Sequence, residues 1–534
     1  MKRHGWRLAA TGIALLIIVP LAVVLASLFS PERDVWPHLL EHVLPGLLGN
    51  TLRLVLGVGI GVTLLGVSLA WLTAVCEFPG RRFFSWALLL PLALPAYVTA
   101  FVYVALLDFT GPLQTVLREL AGGPLVFPAI RSAGGVIMVM SLALYPYVYL
   151  LARNAFLTQG KRALEAAQSL GYSRRAGFFK VALPLARPWI MAGLLLALME
   201  TLADFGTVAV FNYDTFTTAI YKTWFGLFSL QGASQLASVL ILLVFALIAA
   251  EQVSRRGLRF TQAGRHSRME RIILRGPSAW LASGFSALVL LLAFVIPVAQ
   301  LLLWAEKVVA QDFDARYLGF LWHSLLLGAL AAALIVAAAL VLSYAQRQHG
   351  DGWTRAMARI ATLGYAVPGP VLAVGIVIPL AWLDQQLIGA ARNWFGIDSG
   401  LILQGTLLVM LPAYLTRFLA VGYNPLDSAM QRVTRNLDEA AQSLGLSGLA
   451  MVRRVHLPML RGGLLSAAAL VFVDVMKEMP ITLMTRPFGW DTLAVRIFEM
   501  TSEGEWERAA LPAVALVLAG LLPIALLIKN TDKS

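Results

Sequence analysis

Four acidic residues stand within otherwise apolar stretches, and their spacing is the first chemical feature of this sequence. Glu200 and Asp204 are four residues apart, and Asp474 and Glu478 repeat that spacing 274 positions later. Residues four apart share one face of a helix, so each pair presents two carboxylates to the same side. Carboxylates are oxygen donors that suit hard cations. The two pairs therefore indicate either structural charge pairs or the lining of a polar pathway.

Both interpretations of the acids stay open from the sequence. Lys477 is close in sequence to the second pair and is able to neutralise Asp474 or Glu478 in a buried ion pair. Gly206 and Pro480 follow the acids by two residues at the same offset, and we expect them to interrupt each helix. Such a break leaves polar backbone beside the pathway, with the acids at its outer mouth.

A second repeated segment is polar and basic. The sequence EAAQSLG occupies residues 165–171 and returns at residues 439–445, and a Leu-Pro pair follows each copy. Before the second copy, apolar residues recur at helical spacing, which predicts one amphipathic helix outside the bilayer. These apolar residues are Leu426, Met430, Val433, Leu437, Ala441 and Leu444. A basic helix resting on lipid headgroups is the alternative, but that role does not require identical residues in both copies.

Each copy contains the residue types that end one helix and begin the next. Gly171 and Gly445 suit the left-handed position after a helix, and Ser173 and Ser447 suit the N-cap that follows. The predicted unit is helix, tight turn, helix, which presents a rigid knob to a partner protein. The residues predicted to couple to that partner are Glu165, Ala166, Ala167, Gly171, Pro184, Glu439, Ala440, Ala441, Gly445 and Pro458.

The elements that position these residues are membrane helices. The chain has 534 residues, 59% of them hydrophobic and 13% charged, and a mean hydropathy of +0.76, which excludes an ordinary soluble domain. Apolar runs of roughly 20 residues recur throughout, so we predict an all-α polytopic fold of about twelve spans. The predicted spans begin near Leu8, Leu48, Ala87, Gly134, Trp189, Gln235, Ala279, Trp322, Ala361, Gly400, Gly462 and Ala509.

The repeat divides the chain into two parallel halves. We predict a six-helix unit at residues 1–250, a basic cytoplasmic linker at 251–278 and a second unit at 279–534, with the repeated loops at about 153–188 and 422–461. Most of the 42 Lys and Arg residues fall on the side of these loops, so both termini are expected in the cytoplasm. Topology thus explains the excess charge, and nucleic-acid binding is not expected. The pathway is expected between the halves.

The repeated loops resemble the EAA loop of permease subunits of bacterial ABC importers. Each has Glu-Ala-Ala, a Gly after three residues, an aliphatic residue at Val181 or Val455, and then Leu-Pro. The resemblance covers essentially the whole chain, as two fused permease domains of the type I importer kind. It implies that each loop docks on a cytoplasmic ATPase, that two copies of this ATPase are partners, and that the chain lies in the lipid of the bacterial inner membrane.

The residues around the acids narrow this resemblance. The segments LADFGTVAVFNYDTFTTAIYKTWFG at 202–226 and VMKEMPITLMTRPFGWDTLAVRIFE at 475–499 are similar to ferric-iron importer permeases. The similarity implies a periplasmic iron-binding protein as partner, contacted by the external segments near 214–228 and 491–500. Fused permeases for thiamine belong to the same broader group, so thiamine or another small solute stays open as cargo.

Other functions lack the residues they need. The pair Gly160-Lys161 lacks the flanking residues of a phosphate loop, so we expect a separate subunit to bind ATP and Mg, with no catalytic residue or cofactor in this chain. His38 and His42 are four apart but form an incomplete metal site. The single cysteine, Cys76, excludes a disulfide framework. A secondary transporter driven by an ion gradient also suits twelve helices, but it leaves the repeated loops unexplained.

Overall fold

Nearly every element of the fold is a helix, as a chain this apolar requires in lipid, where the backbone must satisfy its own hydrogen bonds. The described residues of the computed structural model are 3–30, 32, 36–122, 128–169, 171–255, 271–396 and 400–531. Within them the strands are two short ones, β1 (Cys76–Glu77) and β2 (Ile272–Ile273), paired in parallel. Most of the predicted basic linker lies outside the described residues.

The first half of the chain contains twelve α-helices among its described residues, joined by short 3-10 or π turns. They are α1 (Arg3–Ala26), α2 (Trp36–His38), α3 (Leu44–Val75), α4 (Arg81–Ala87), α5 (Ala96–Leu107), α6 (Pro112–Ala121), α7 (Ala133–Ser169), α8 (Arg174–Gly177), α9 (Leu183–Ala203), α10 (Gly206–Val210), α11 (Phe216–Tyr221) and α12 (Leu230–Arg255).

The second half repeats this order with one additional break. Its described helices are α13 (Pro277–Leu290), α14 (Ile296–Asp312), α15 (Ala315–His349), α16 (Gly352–Thr362), α17 (Gly369–Phe395), α18 (Leu407–Arg432), α19 (Arg435–Ser443), α20 (Gly448–Met451), α21 (Leu457–Met459), α22 (Arg461–Lys477), α23 (Pro480–Thr485), α24 (Leu493–Ser502) and α25 (Trp506–Thr531).

Ten stretches of described helix are long and apolar enough to cross a membrane, and an eleventh is a pair bent by 80° between Met459 and Arg461. The last predicted span falls in α25. The all-α polytopic fold is therefore confirmed. In each half three helices pack together at the centre, α3 with α7 and α9, and α15 with α18 and α22. The boundaries proposed between the two halves stay a prediction.

Proline interrupts two of the predicted spans. The third is broken by the 3-10 turn Leu90–Ala93 followed by Pro95, and the ninth by the equivalent turn Leu363–Ala366 followed by Pro368. Proline lacks an N–H and holds the preceding residue extended, so a continuous helix is not possible at either place. The tenth span begins at Leu407, later than the apolar run suggested. These three predicted boundaries were wrong.

The first span of each half packs on the other half. Helix α1 lies against α15, α16 and α17, and α14 reciprocally contacts α5. The ring of Trp6 meets Tyr344 edge-on at 4.7 Å, and Arg7 forms an ion pair with Asp351, the N-cap of α16. Hydrogen bonds from the hydroxyl and the backbone N–H of Thr354 hold the pKa of Asp351 below its ordinary value. The halves are thus interlocked through their outermost helices.

Two glycines of α17 are expected to change the stability of the protein in opposite directions when each is replaced by alanine. A Cβ at Gly375 would lie 2.8 Å from the carbonyl oxygen of Pro20 in α1, whereas a Cβ at Gly389 has nothing within 4 Å. We expect Gly375→Ala to lower the unfolding midpoint of the purified protein, because overpacking costs about 1–3 kcal/mol. Gly389→Ala should raise it, since alanine is favoured in a helix by roughly 1 kcal/mol. Equal midpoints for the two variants would contradict this close helix contact.

Candidate functional site

Both acid-bearing helices end beside their acids. Helix α9 stops at Ala203 and α10 starts at Gly206, while α22 stops at Lys477 and α23 starts at Pro480. The predicted breaks are therefore confirmed at equivalent positions. The residue that leaves each helix, Asp204 or Glu478, has an extended backbone with ψ of 131° or 115°. Each acid consequently stands between two helix segments.

Asp204 and Glu478 satisfy the backbone groups that these breaks expose. Asp204 accepts hydrogen bonds from the N–H of Val208 at 3.2 Å and the hydroxyl of Thr207 at 2.9 Å. Glu478 accepts one from the N–H of Ile481 at 3.0 Å. The first N–H groups of a helix have no partner within it, so these carboxylates act as caps for α10 and α23. A close approach of the halves accompanies the cap, because a Cβ at Gly206 would lie 2.8 Å from the Met479 side chain.

The four acids line one cavity of about 210 Å³ that both halves enclose, here called the central cavity. Its lining residues include Tyr97, Ala143, Tyr147, Glu200, Ala203, Asp204, Tyr365, Arg417, Asp474, Lys477 and Glu478. Many of these are pairs related by the repeat, so the cavity lies at the junction of equivalent elements. The fold thus brings together the four residues predicted to line the pathway, and their role in transport stays a prediction.

Glu200 and Asp474 occupy equivalent positions in α9 and α22, and both are half-buried. The hydroxyl of Tyr365, in the 3-10 turn of the second half, donates a hydrogen bond of 2.9 Å to Glu200. Within the part of the chain that the structure describes, no side-chain hydrogen bond or ion pair fixes Asp474, although the positive charge of Lys477 lies nearby. This pair of acids is therefore held less firmly than the two capping acids.

Two basic residues complete the charge balance, and one of them was not among the residues predicted to line the pathway. Arg417, in α18, forms a buried ion pair with Glu478 at 3.3 Å and donates to the carbonyl of Val367 at 2.8 Å. Lys477 donates to the carbonyl of Leu92, in the first half, at 3.0 Å. The ion-pair partner of Glu478 is thus Arg417, while Lys477 lies near Asp474, the other acid that it was predicted to neutralise. An arginine inside a predicted span is the signal that would have revealed it.

The charges of the cavity are not distributed equally between the halves. Arg417 and Lys477 both belong to the second half, and the repeat places Ala143 and Ala203 at the same positions in the first. Each half contributes two acids, so the lining has four carboxylates and two cations. Both cations are engaged by backbone carbonyls or a carboxylate. The lining is consequently richer in acidic than in basic groups.

The predicted helix ends of the repeated loops are confirmed. Gly171 and Gly445 have φ angles of +81° and +77°, in the left-handed region that favours glycine. In each copy the glycine N–H bonds back three residues and the next N–H bonds back five, to the carbonyls of Ala167 and Ala441 at 2.9 Å. This double hydrogen bond is the Schellman motif of a helix C-terminus. The two loops therefore share one backbone geometry.

The helix after each turn starts where predicted and contains a π turn at the same place. The Ser173 hydroxyl accepts a hydrogen bond from the N–H of Ala176 at 3.3 Å. Ser447 occupies the N-cap position, but its side chain makes no capping hydrogen bond. The π turns are Phe178–Ala182 and Val452–His456, at the repeat offset. Pro184 and Pro458 follow in the first turn of α9 and of α21.

The single amphipathic helix predicted before the second loop was wrong. Helix α18 ends at Arg432, and α19 begins at Arg435. Arg347, at the end of α15, donates to the carbonyls of Val433 and Thr434 at 2.8 and 3.0 Å and pairs with Asp438 at 2.7 Å. This side chain takes over the hydrogen bonds that a continuous helix would have supplied. The break contains neither glycine nor proline, so it was not predictable from the local sequence.

The repeated loops present an exposed surface. Ala167 and Ala441 are buried and pack each loop onto the membrane helices, while Glu439, Ala440, Gly171 and Gly445 are exposed. The side chain of Leu444 is 81% exposed beside them. The side chains of Glu165 and Ala166 lie outside the described residues, and the docking role of all ten predicted coupling residues stays a prediction.

The external segments also repeat their geometry. Asn50 donates a hydrogen bond of 3.0 Å to the carbonyl of Asp214, and His323 contacts the carbonyl of Asp491 at 3.2 Å. Contact of these segments with a binding protein stays a prediction. The rings of His38 and His42 stack at 5.0 Å. Among the described residues, no group of three His, Cys, Asp or Glu side chains is arranged to hold a metal.

The helices, paired breaks and capped loops define a multi-pass helical membrane protein in which one set of elements is repeated. Comparison with known proteins specifies the class further, because residues 62–253 match the family described as binding-protein-dependent transport system inner membrane component. Over this region the chain resembles the inner membrane components of binding-protein-dependent transport systems. It is 29% identical to the Fe(3+)-transport system permease protein FbpB 2 of Haemophilus influenzae, over 91% of this chain and 90% of that relative.

Two shorter relatives match about half of the chain or less. A Salmonella typhimurium protein assigned to 2-aminoethylphosphonate transport, PhnV, is 26% identical over 47% of this chain and 94% of its own length. The molybdenum transport system permease protein ModB of Escherichia coli is 28% identical over 34% of this chain and 79% of its own length. Relatives of this class thus have different cargoes.

The buried ion pair at the central cavity predicts a stability effect that depends on its partner. Arg417 and Glu478 are 9% and 6% exposed, so we expect Arg417→Met or Glu478→Gln alone to cost about 3–5 kcal/mol of unfolding free energy. The double variant should lose less than the sum of the two, as measured by unfolding of the purified proteins. The exposed pair Lys307 and Glu507 provides a control, where the same changes should cost about 0–1 kcal/mol. Additive losses at Arg417 and Glu478 would contradict this coupling.

Proposed function

We propose that this chain is the membrane subunit of an ATP-driven importer for ferric iron. A periplasmic binding protein delivers the ion, and the two halves alternate between outward and inward access to move it into the cytoplasm. The termini and the repeated loops face the cytoplasm in this proposal. The similarity to an Fe(3+)-transport permease over 91% of the chain is one support. The main support for this proposal is the charge of the central cavity.

The central cavity favours a cation over an anion. It is lined by four carboxylates, Glu200, Asp204, Asp474 and Glu478, and by two cations that are already engaged. Arg417 already pairs with Glu478 and donates to the Val367 carbonyl, so part of its charge is balanced within the lining itself. Carboxylate oxygens suit a hard cation such as Fe³⁺. This arrangement argues against a molybdate-like or phosphonate-like cargo.

The repeated loops connect the pathway to the energy source. In this proposal each exposed turn, with Gly171 or Gly445 at its tip, docks on one of two copies of a cytoplasmic ATPase that binds ATP and Mg. Arg347 ties the second loop to α15 through Asp438, which gives a direct mechanical link to a central helix. Closure of the ATPase pair would move both loops together and open the halves toward the periplasm. The external segments near Asp214 and Asp491 contact the binding protein.

The cargo is tested by reconstitution with the cognate ATPase in nanodiscs. Candidate binding proteins loaded with Fe³⁺, thiamine, molybdate or 2-aminoethylphosphonate are added separately, and ATP hydrolysis is measured. We expect the ferric protein alone to stimulate hydrolysis. Stimulation by the thiamine protein would keep the mechanism and replace the cargo, while stimulation by an anion-loaded protein would overturn the charge argument.

The coupling role of the loops is tested at their two left-handed glycines. Gly171→Pro combined with Gly445→Pro should abolish stimulation of the ATPase, because proline holds φ near −65° and cannot adopt the observed +81° and +77°. Gly122→Pro is the matched control, since Gly122 also caps a helix at φ +65° but lies outside the repeated loops. Normal stimulation in the double variant, with normal membrane insertion, would refute docking through these turns.

A further inference from the structure

We infer that the central cavity contains a cation site built from both carboxylate and phenol oxygens, with Glu200, Asp474, Tyr97 and Tyr365 as its ligands. This inference rests on the proposed function and deepens it, because it separates the acids that contact cargo from those that hold the fold. The ligand class is a hard trivalent cation without a chelator. Three observations of the cavity lead to this assignment.

The first observation is that two of the four acids cap helices and the other two do not. Asp204 is bonded to the hydroxyl of Thr207 and the N–H of Val208, and Glu478 is bonded to the N–H of Ile481 and to Arg417. Ligation of cargo by either one would uncap a helix within the membrane, which is costly. Glu200 and Asp474 do not cap a helix, and they line the same cavity from equivalent positions of α9 and α22.

The second observation is a buried phenol without a partner. Tyr97 lines the central cavity, is 8% exposed, and its hydroxyl makes no hydrogen bond to any described residue. A buried hydroxyl left unpaired costs roughly 1–3 kcal/mol, so its retention needs a reason. The equivalent position in the second half is Pro370, so the repeat itself does not require a tyrosine here. A ligand in the cavity provides the missing partner.

The third observation is a phenol already joined to one of the free acids. The Tyr365 hydroxyl donates a hydrogen bond of 2.9 Å to Glu200, so this phenol and this carboxylate are already adjacent at the junction of the two halves. On ligation each phenol releases its proton to solvent and binds as phenolate, which together with carboxylate forms a hard, anionic donor set. His, Cys, Asp and Glu alone do not converge on a metal position among the described residues. Without the phenols the carboxylates would therefore bind a cation only weakly. Transport requires that the bound cation can be released again.

The test is a spectroscopic titration of the purified permease in nanodiscs, without ATPase or binding protein. Fe³⁺ is supplied as its nitrilotriacetate complex, and the visible charge-transfer absorption of phenolate bound to Fe³⁺ is recorded. We expect a saturable band for the wild type that disappears in Tyr97→Phe combined with Tyr365→Phe. Glu200→Gln should weaken the apparent affinity by roughly tenfold or more. Asp204→Asn should leave the affinity for iron unchanged even if it lowers stability.

Tyr145→Phe is the matched control. Its hydroxyl is also buried and donates to the Leu88 carbonyl at 2.9 Å, but Tyr145 does not line the cavity. This variant should keep the full band. A wild-type protein without a band refutes the site whether or not any variant folds, and so does a band that Tyr145→Phe and the double variant reduce equally. Iron transport in the reconstituted importer without a band would overturn only this site, whereas a band without ferric-dependent ATP hydrolysis would overturn only the proposed function.

Discussion

Unpaired backbone groups within the membrane are the constraint on which the centre of this protein depends. Four breaks surround the central cavity, two where α9 and α22 end and two at the 3-10 turns before α5 and α17. Lipid offers no hydrogen bonds, so each break needs a side chain. Asp204 and Glu478 supply acceptors for the exposed N–H groups, while Lys477 and Arg417 supply donors for the carbonyls of Leu92 and Val367. The first role of these charged residues is thus to satisfy the backbone hydrogen bonds that the interrupted helices leave unpaired.

The sequence predicted the two breaks beside the acids because their causes are local, whereas the breaks at the two 3-10 turns were not predicted. The acids, Gly206 and Pro480 recur at one offset, and so do the glycines that end the repeated loops. Partners distant in sequence were not predictable in the same way. Arg417 meets Glu478 from another helix, and Arg347 replaces the hydrogen bonds of a helix that breaks without glycine or proline. Helical periodicity passes across such a break unchanged, so only the folded arrangement reveals it.

The two loops have the same turn but different support. Each has a Schellman cap and a π turn at the repeat offset, which fixes the shape presented to a partner. In the first half the loop continues directly from the long helix α7, whereas in the second half it is a separate helix held by Arg347. A continuous helix transmits displacement along its axis. A helix attached by an ion pair is able to pivot, so the same push from outside has two different mechanical results.

The placement of both cavity cations in the second half has a consequence for the number of chains. If two identical first halves assembled, the cavity would contain four acids and no base, because Ala143 and Ala203 stand at the two positions. If two identical second halves assembled, each acid would be matched by a base. An acidic excess together with donors for the carbonyls exposed at the helix breaks arises only when one first half combines with one second half. Joining the halves in a single polypeptide guarantees that one-to-one ratio, so the fusion protects a composition that free subunits would lose by random pairing.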